Sequence, residues 1–113
     1  MSLDGGRTVT HMGTEPTPLA VIVSSDRPTT LILVGELDAS TVVAARAAFE
    51  SLPDGERSID ATGVTFIGAR GLGVLLELTA ESERAGHVLV ISPADVVRRL
   101  AAITGTDQVL NLV

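Results

Sequence analysis

The stretch Phe66–Leu76 reads Phe-Ile-Gly-Ala-Arg-Gly-Leu-Gly-Val-Leu-Leu, and it decides how this chain folds. The apolar end of a strand is interrupted by glycines, after which the apolar spacing becomes that of an amphipathic helix. The first N–H groups of a helix lack partners within it and the helix dipole is positive there, so this turn is a natural place for an anion. The turn itself contains no hydroxyl, and the nearest ones are on Thr62, Thr65 and Thr79.

Strands and helices alternate outward from this stretch. Short apolar runs bounded by turn residues predict five strands, and longer runs with helical spacing predict three helices. The predicted strands cover residues 19–23, 30–34, 58–60, 88–91 and 109–112, and residues 64–67 lead into the glycine turn. The predicted helices cover about 38–52, 71–86 and 93–104. The first two strands form a hairpin, and the order β-β-α-β-α-β-α-β predicts a single α/β domain with one mixed sheet and helices packed on it.

Local features refine this arrangement. Asp38 or Ser40 is expected to cap the first helix, and Ser92 and Pro93 are expected at the N-cap and first position of the third. Ile103 is expected to face inward from that third helix. Since neither of the first two strands alternates cleanly between apolar and polar residues, helices are expected to cover the second strand on both faces.

Residues 1–18 differ in composition from the rest of the chain. They are mostly small and polar and include glycines and prolines, which is typical of a flexible leader. The predicted domain therefore spans residues 19–113. His11 lies in the leader, where a solvated side chain is far more common than a metal ligand.

The composition restricts the classes of function. The chain has 113 residues, a formal net charge of −6, two phenylalanines, and no tryptophan, tyrosine or cysteine. An acidic chain with little aromatic surface is a poor match for nucleic acids or anionic membranes. The lack of cysteine excludes disulfides, thiolate catalysis and the common zinc sites. Since no apolar stretch has membrane-spanning length and the N-terminus lacks a signal-peptide pattern, a cytoplasmic location is expected.

No catalytic constellation emerges from the sequence. Asp38 and Asp60 can be considered as a carboxylate pair, but nothing sets their pKa values apart. His87 has no neighbours at metal-ligand or triad spacing. The glycines of Phe66–Leu76 lack the dinucleotide-binding spacing and no P-loop lysine follows them, so turn geometry and close packing are their expected roles. We therefore expect a non-enzymatic domain without a metal or a cofactor.

Three segments together resemble the STAS domain family, named for sulfate transporters and anti-sigma factor antagonists. Gly35–Asp38 is similar to the family's Gly-Glu-Leu-Asp signature, and Phe66–Leu76 is similar to its Phe-Ile-Asp-Ser-Ser-Gly-Leu-Gly-Val-Leu segment. The residues from Ile91 to Gly105 are similar to a family stretch in which Ser-Pro is followed by arginine, leucine and glycine. The likeness spans residues 19–113 and implies a STAS fold.

This resemblance implies a function in the regulation of transcription. Bacterial antagonists of the family bind an anti-sigma factor, a kinase of the GHKL class, and so release the sigma factor that it held. The kinase switches the antagonist off by phosphorylating a serine at the start of the second helix, where the added charge disrupts a fitted interface. In this chain the family's Asp-Ser-Ser is Gly68-Ala69-Arg70, and the acceptor position is Arg70, so no phosphorylation is expected there.

The expected partner-binding surface combines the end of the second strand with the start of the second helix. It consists of Glu36, Leu37, Asp38, Gly68, Ala69, Arg70, Gly71 and Leu72. Arg70 is either a solvated side chain or a guanidinium that pairs with a carboxylate or phosphate of the partner. Two alternatives stay open: a ligand-sensing or scaffold STAS module, and a nucleotide-binding module with an anion at Gly71 beside Arg70. The chain itself is expected to be a monomer or a weak homodimer.

Overall fold

The structure is a computed structural model that describes residues 8–11 and 19–113. Strands and helices alternate along most of the described chain, with a short 3-10 helix at Thr106–Gln108 before the last strand. The strands are β1 (Thr8–His11), β2 (Leu19–Val23), β3 (Thr30–Leu37), β4 (Ser58–Ile67), β5 (Val90–Pro93) and β6 (Asn111–Leu112), and the α-helices are α1 (Val42–Glu50), α2 (Ala69–Arg84) and α3 (Asp95–Thr104). The prediction of a single α/β domain with a mixed sheet and packed helices is confirmed.

The sheet follows the order of the chain, β1-β2-β3-β4-β5-β6. Neighbours among β1, β2 and β3 are antiparallel, which confirms the predicted hairpin of β2 and β3. Neighbours from β3 to β6 are parallel, and one α-helix connects each successive pair. Because such crossovers are right-handed and here all proceed in the same direction across the sheet, the three helices lie on one face.

The burial pattern agrees with this one-sided arrangement. On β3, Leu31, Leu33 and Leu37 are buried beneath the helices, whereas Val34 on the opposite face is 43% exposed. The expectation that helices cover this strand on both faces is therefore wrong. The strand does not alternate cleanly because its open face also carries apolar residues such as Ile32, which is half-buried.

The strand β1 lies within the segment assigned above to a flexible leader. Its backbone pairs with β2 over four successive positions, so this part of residues 1–18 belongs to the sheet. A four-residue pattern between glycine-containing segments is too short to be separated from a loop by sequence alone. The other leader residues, 1–7 and 12–18, lie outside the described residues.

The start of α3 also differs from the prediction. Ser92 and Pro93 were expected to begin this helix, but they extend β5 and pair with β4. The helix begins at Asp95, with Ala94 in the N-cap position. Parallel pairing with a longer neighbour therefore overrides the local helix-start signal of Ser-Pro. Ile103, expected to face inward, is 74% exposed near the end of α3.

Candidate functional site

The candidate site lies where β3 and β4 end side by side. Leu37 and Ile67 are paired at the last positions of the two parallel strands, so the residues that follow them, Asp38 and Gly68, come close together. The Gly68 N–H donates to the Leu37 carbonyl oxygen at 3.0 Å. A Cβ atom placed on Gly68 would lie 3.8 Å from the Asp38 Cβ. Two of the three segments that carry the family resemblance, Gly35–Asp38 and Phe66–Leu76, are thus adjacent at one edge of the sheet.

A bulge in β4 lies just before this edge: Gly35 of β3 pairs with Val64 and Glu36 pairs with Phe66, so Thr65 is the extra residue. Gly35 has a φ of +120°, a backbone conformation that residues with side chains rarely adopt. The register of β3 with β4 shifts between Gly35 and Glu36, and such bulges bend a strand and re-aim its side chains. After the bulge, Glu36 and its partner Phe66 are exposed on the open face of the sheet, whereas Leu37 and Ile67 are buried.

The first turn of α2 is packed tightly against the end of β3. The helix begins at Ala69, two residues before the predicted start at Gly71. A methyl group on Gly71 would overlap the carbonyl oxygen of Leu37 and lie 2.9 Å from its carbonyl carbon, so only glycine fits. Gly73, one half-turn further on, has nothing within 4 Å of such a methyl group. The close packing expected for the glycines of this stretch is therefore provided by Gly71.

Side-chain hydrogen bonds hold the turn between β3 and α1. The Asp38 carboxylate accepts from the Ser40 N–H at 3.0 Å and from the Ser40 hydroxyl at 2.7 Å. Thr41 Oγ1 accepts from the Asp38 N–H at 3.0 Å and donates to the Glu36 carbonyl oxygen at 2.8 Å. Either Asp38 or Ser40 was expected to cap α1, but Thr41 occupies the N-cap position and the helix begins at Val42. Asp38 and Ser40 shape the turn instead, because the hydrogen bonds between them lie within the residues that precede the helix.

These hydrogen bonds keep Asp38 ionised. The Ser40 hydroxyl is the main cause that lowers the pKa of the Asp38 carboxyl below 3.8, and partial burial opposes it. A carboxylate that accepts hydrogen bonds is favoured in its charged form. The turn therefore presents a negative charge next to the N-terminus of α2.

The eight residues of the predicted surface differ in accessibility. Those accessible on the helix side of the edge are Asp38, Gly68, Ala69 and Arg70. Those buried beneath it are Leu37, Gly71 and Leu72, which support the surface without reaching it. Glu36 is exposed on the open face, with Phe66 beside it in register.

Sequence reasoning missed two contributors to this edge, Thr41 and Phe66. Thr41 is almost fully buried, and its hydroxyl joins the two ends of the turn. In the sequence, the only indication of this role was a hydroxyl residue directly before the first helix. Phe66 is 50% exposed. Its alternation with the buried Ile67 was a signal that it faces away from the helices.

One arginine couples α1 to α2 beside this surface. Arg46 on α1 lies 2.6 Å from Glu77, 3.0 Å from Glu50 and 3.1 Å from Glu81, counted between nitrogen and carboxylate oxygen. Hydrogen bonds to Glu77 and then Glu50 are the main causes that raise the pKa of Arg46 above its usual range. Because Glu50 belongs to α1 while Glu77 and Glu81 belong to α2, this pairing fixes the two helices relative to each other.

Other candidate residues lie away from this edge. Asp60 is seven positions before Ile67 on β4, so about 20 Å of strand separates it from the end where Asp38 lies. Two carboxyl groups that act on one bond are no more than about 10 Å apart, so these two do not form such a pair. His87 Nδ1 is 3.3 Å from a Glu56 carboxylate oxygen and lines a cleft of about 390 Å³ at the other end of the sheet. Arg98 and Arg99 are exposed on α3.

The start of α2 was also expected to offer an anion position at Gly71. The Leu37 carbonyl oxygen fills the space where a side chain of Gly71 would stand, a contact that concerns the packing of this glycine and not the N–H groups at the helix start. The nucleotide-binding alternative therefore stays a prediction. Of the nearby hydroxyls, that of Thr79 is buried and donates to the Leu75 carbonyl oxygen at 2.8 Å, whereas Thr65 is exposed.

The described residues contain neither a metal-binding group of side chains nor a membrane-spanning helix. Among residues 8–11 and 19–113, no three histidine or acidic side chains are grouped so as to hold a metal ion. Within the same ranges, no helix is both long enough and apolar enough to cross a membrane.

The fold and the edge together define the class of this protein. A mixed sheet in chain order, helices on one face, and a helix that starts against the end of the neighbouring strand constitute a STAS-like α/β domain. The family described as "Mlab, STAS domain" matches residues 21–113, and the chain belongs to this family. Comparison with curated proteins finds no match to the chain.

Proposed function

We propose that this STAS domain is an anti-sigma factor antagonist. It binds an anti-sigma factor of the GHKL kinase class, which then releases its sigma factor, and so it regulates transcription in the cytoplasm. The domain performs no catalysis and needs no cofactor, because its contribution is a surface that competes for a protein partner. The STAS family includes anti-sigma factor antagonists, and membership of that family supports this proposal.

One observation carries the proposal. The turn between β3 and α1 and the first turn of α2 form a continuous edge in which an ionised Asp38 and an exposed Arg70 lie on a rigid support. The support is rigid because Gly71 packs directly on Leu37 and because Thr41 ties the turn to β3. Fixed opposite charges at an exposed edge favour specific recognition of a charged protein surface.

The binding test is capture from a lysate of the native cells with the tagged protein. We expect the wild-type protein to retain a GHKL-type ATPase and the Arg70→Glu variant to retain at least about tenfold less, since reversing an interfacial charge costs more than 1.4 kcal/mol. Arg84→Glu is the matched control, because Arg84 is exposed on the same helix about 21 Å away. Capture of only the protein itself, or of large assemblies, would contradict the proposal and favour a scaffold module.

The absence of a phosphoacceptor at Arg70 leads to a second prediction. Incubation of the wild-type protein with the captured kinase and ATP should leave residues 68–71 unmodified, because none of their side chains carries a hydroxyl. Arg70→Ser should become phosphorylated at residue 70, as measured by mass spectrometry of the modified peptide. Phosphate on Thr65 of the wild-type protein would show that the acceptor has moved and that the switch persists.

A further inference from the structure

A groove between α1 and α2 opens beside the proposed binding edge. It has a volume of about 130 Å³. Its lining residues are Val42, Val43, Arg46, Arg70, Val74 and Glu77. Pockets for small molecules begin at about 300 Å³, so this groove is too small for a nucleotide or a metabolite and has room for a single side chain.

Three valines form the apolar part of this groove, and Arg46, Arg70 and Glu77 form the charged part. Val74 is buried and forms the wall on α2, where Arg70, Val74 and Glu77 follow one another along one stripe of the helix. Val43 on α1 is 71% exposed and lines the opposite side of the groove. Contact with an aliphatic side chain would remove apolar surface of Val43 from water, with the buried Val74 as the wall of the groove on α2.

The charges at the two ends of the groove differ. Arg46 at one end is already paired with three carboxylates, Glu77 among them. Arg70 at the other end makes no ion pair with any residue that the structure describes, and it is exposed. The end at Arg70 is therefore the one that can accept a negative charge from outside the molecule, while the carboxylates around Arg46 disfavour an anion at the far end.

We propose that this groove takes an aliphatic side chain of the protein partner and that Arg70 binds a carboxylate next to it. The inference rests on the proposed function and extends its surface from the sheet edge onto Val43 and Val74. The planar guanidinium of Arg70 can bind a carboxylate of the partner through two parallel hydrogen bonds. The partner's aliphatic side chain in the groove then fixes where its carboxylate lies relative to Arg70. The partner's recognition segment thus contains an aspartate or glutamate within one helical turn of a leucine, isoleucine or valine.

The test uses a phage-displayed library of random peptides selected on the immobilised wild-type protein. We expect selected peptides to share an aspartate or glutamate within one turn of an aliphatic residue. Their affinity should fall at least about tenfold for Arg70→Glu and for Val43→Asp. Replacement of the shared acid by lysine should restore binding to Arg70→Glu, because the charge pair is then reversed rather than removed.

Two control variants change similar residues elsewhere on the surface. Arg84→Glu reverses a charge at the far end of α2, and Val109→Asp adds a charge at an exposed valine outside the groove. Both should bind the selected peptides like the wild-type protein, and circular dichroism should show all four variants folded. No selected peptides, peptides without a shared acid, or equal binding by Arg70→Glu and Val43→Asp would overturn the inference.

Failure of the groove inference can be distinguished from failure of the antagonist proposal. If the GHKL-type partner is captured and Val43→Asp retains it as well as the wild-type protein does, the groove inference is wrong and the antagonist proposal survives. If no such partner is captured, the antagonist proposal fails, while the peptide selection still decides whether the groove recognises an aliphatic and acidic segment.

Discussion

At the residue scale, Gly71 links the end of β3 to the start of α2. Any side chain at this position would collide with the backbone of Leu37, which cannot move without disturbing the strand. The same contact places Arg70 at the surface: Gly71 lies on the packed side of the helix, and the side chain of Arg70, one residue earlier, lies on the exposed side. The position of the proposed binding residue therefore depends on the absence of a side chain one residue later.

Substitution of this glycine gives a direct prediction about stability. Gly71→Ala should lower the free energy of unfolding by about 2 kcal/mol or more, since the added methyl group overpacks a contact made by backbone atoms. Gly73→Ala is the matched control in the same helix, and it should raise stability by up to about 1 kcal/mol because alanine favours a helix and nothing lies near the new methyl group. Urea unfolding measures both changes. Gly71→Ala with wild-type stability would contradict the packing described here.

At the element scale, Arg46 holds α1 against α2 by charge, whereas α2 is held to the sheet by apolar side chains such as Leu75 and Leu78. The groove lies between the two helices, so its width depends on this arginine. Ion pairs at a surface are individually weak, but here one cation serves three carboxylates and its removal leaves them uncompensated.

A prediction follows for this helix pair. Arg46→Met should lower the free energy of unfolding by about 1 kcal/mol at low salt, through the lost attraction and the repulsion among the remaining carboxylates. The loss should shrink at high salt, because screening weakens both effects. Arg99→Met, at an exposed arginine of α3, should stay within about 0.5 kcal/mol of the wild-type protein. A loss at Arg46 that is insensitive to salt would show that packing, and not charge, couples the helices.

The existence of these elements was predictable, while several of their ends were not. Periodicity identifies β2 to β6 and all three helices, because apolar spacing is a local property. The extension of β5 through Ser92 and Pro93 depends on pairing with β4, and the start of α2 depends on contact with Leu37. Both are set by residues distant in sequence, which local signals cannot include.

At the scale of the whole molecule, the one-sided sheet separates two surfaces. The helix side carries the candidate edge and the groove, and the open side carries Ile32, Val34, Glu36 and Phe66. The order of elements predicts the edge, since parallel strands bring the segments after β3 and β4 together. It does not predict that Leu37 is buried there or that Glu36 lies on the other face, because these depend on β3 continuing through Leu37 in its pairing with β4, beyond the predicted end at residue 34.

Hydrogen exchange of the complex with the captured GHKL-type ATPase tests the central claim most directly. We predict slower amide exchange on complex formation in the turn between β3 and α1, in the first turn of α2 and along the groove, with α3 and the open face of the sheet unchanged. Protection confined to α3 or to the strand residues around Ile32 and Val34 would contradict the account, because the partner would then bind a different surface from the edge at Asp38 and Arg70.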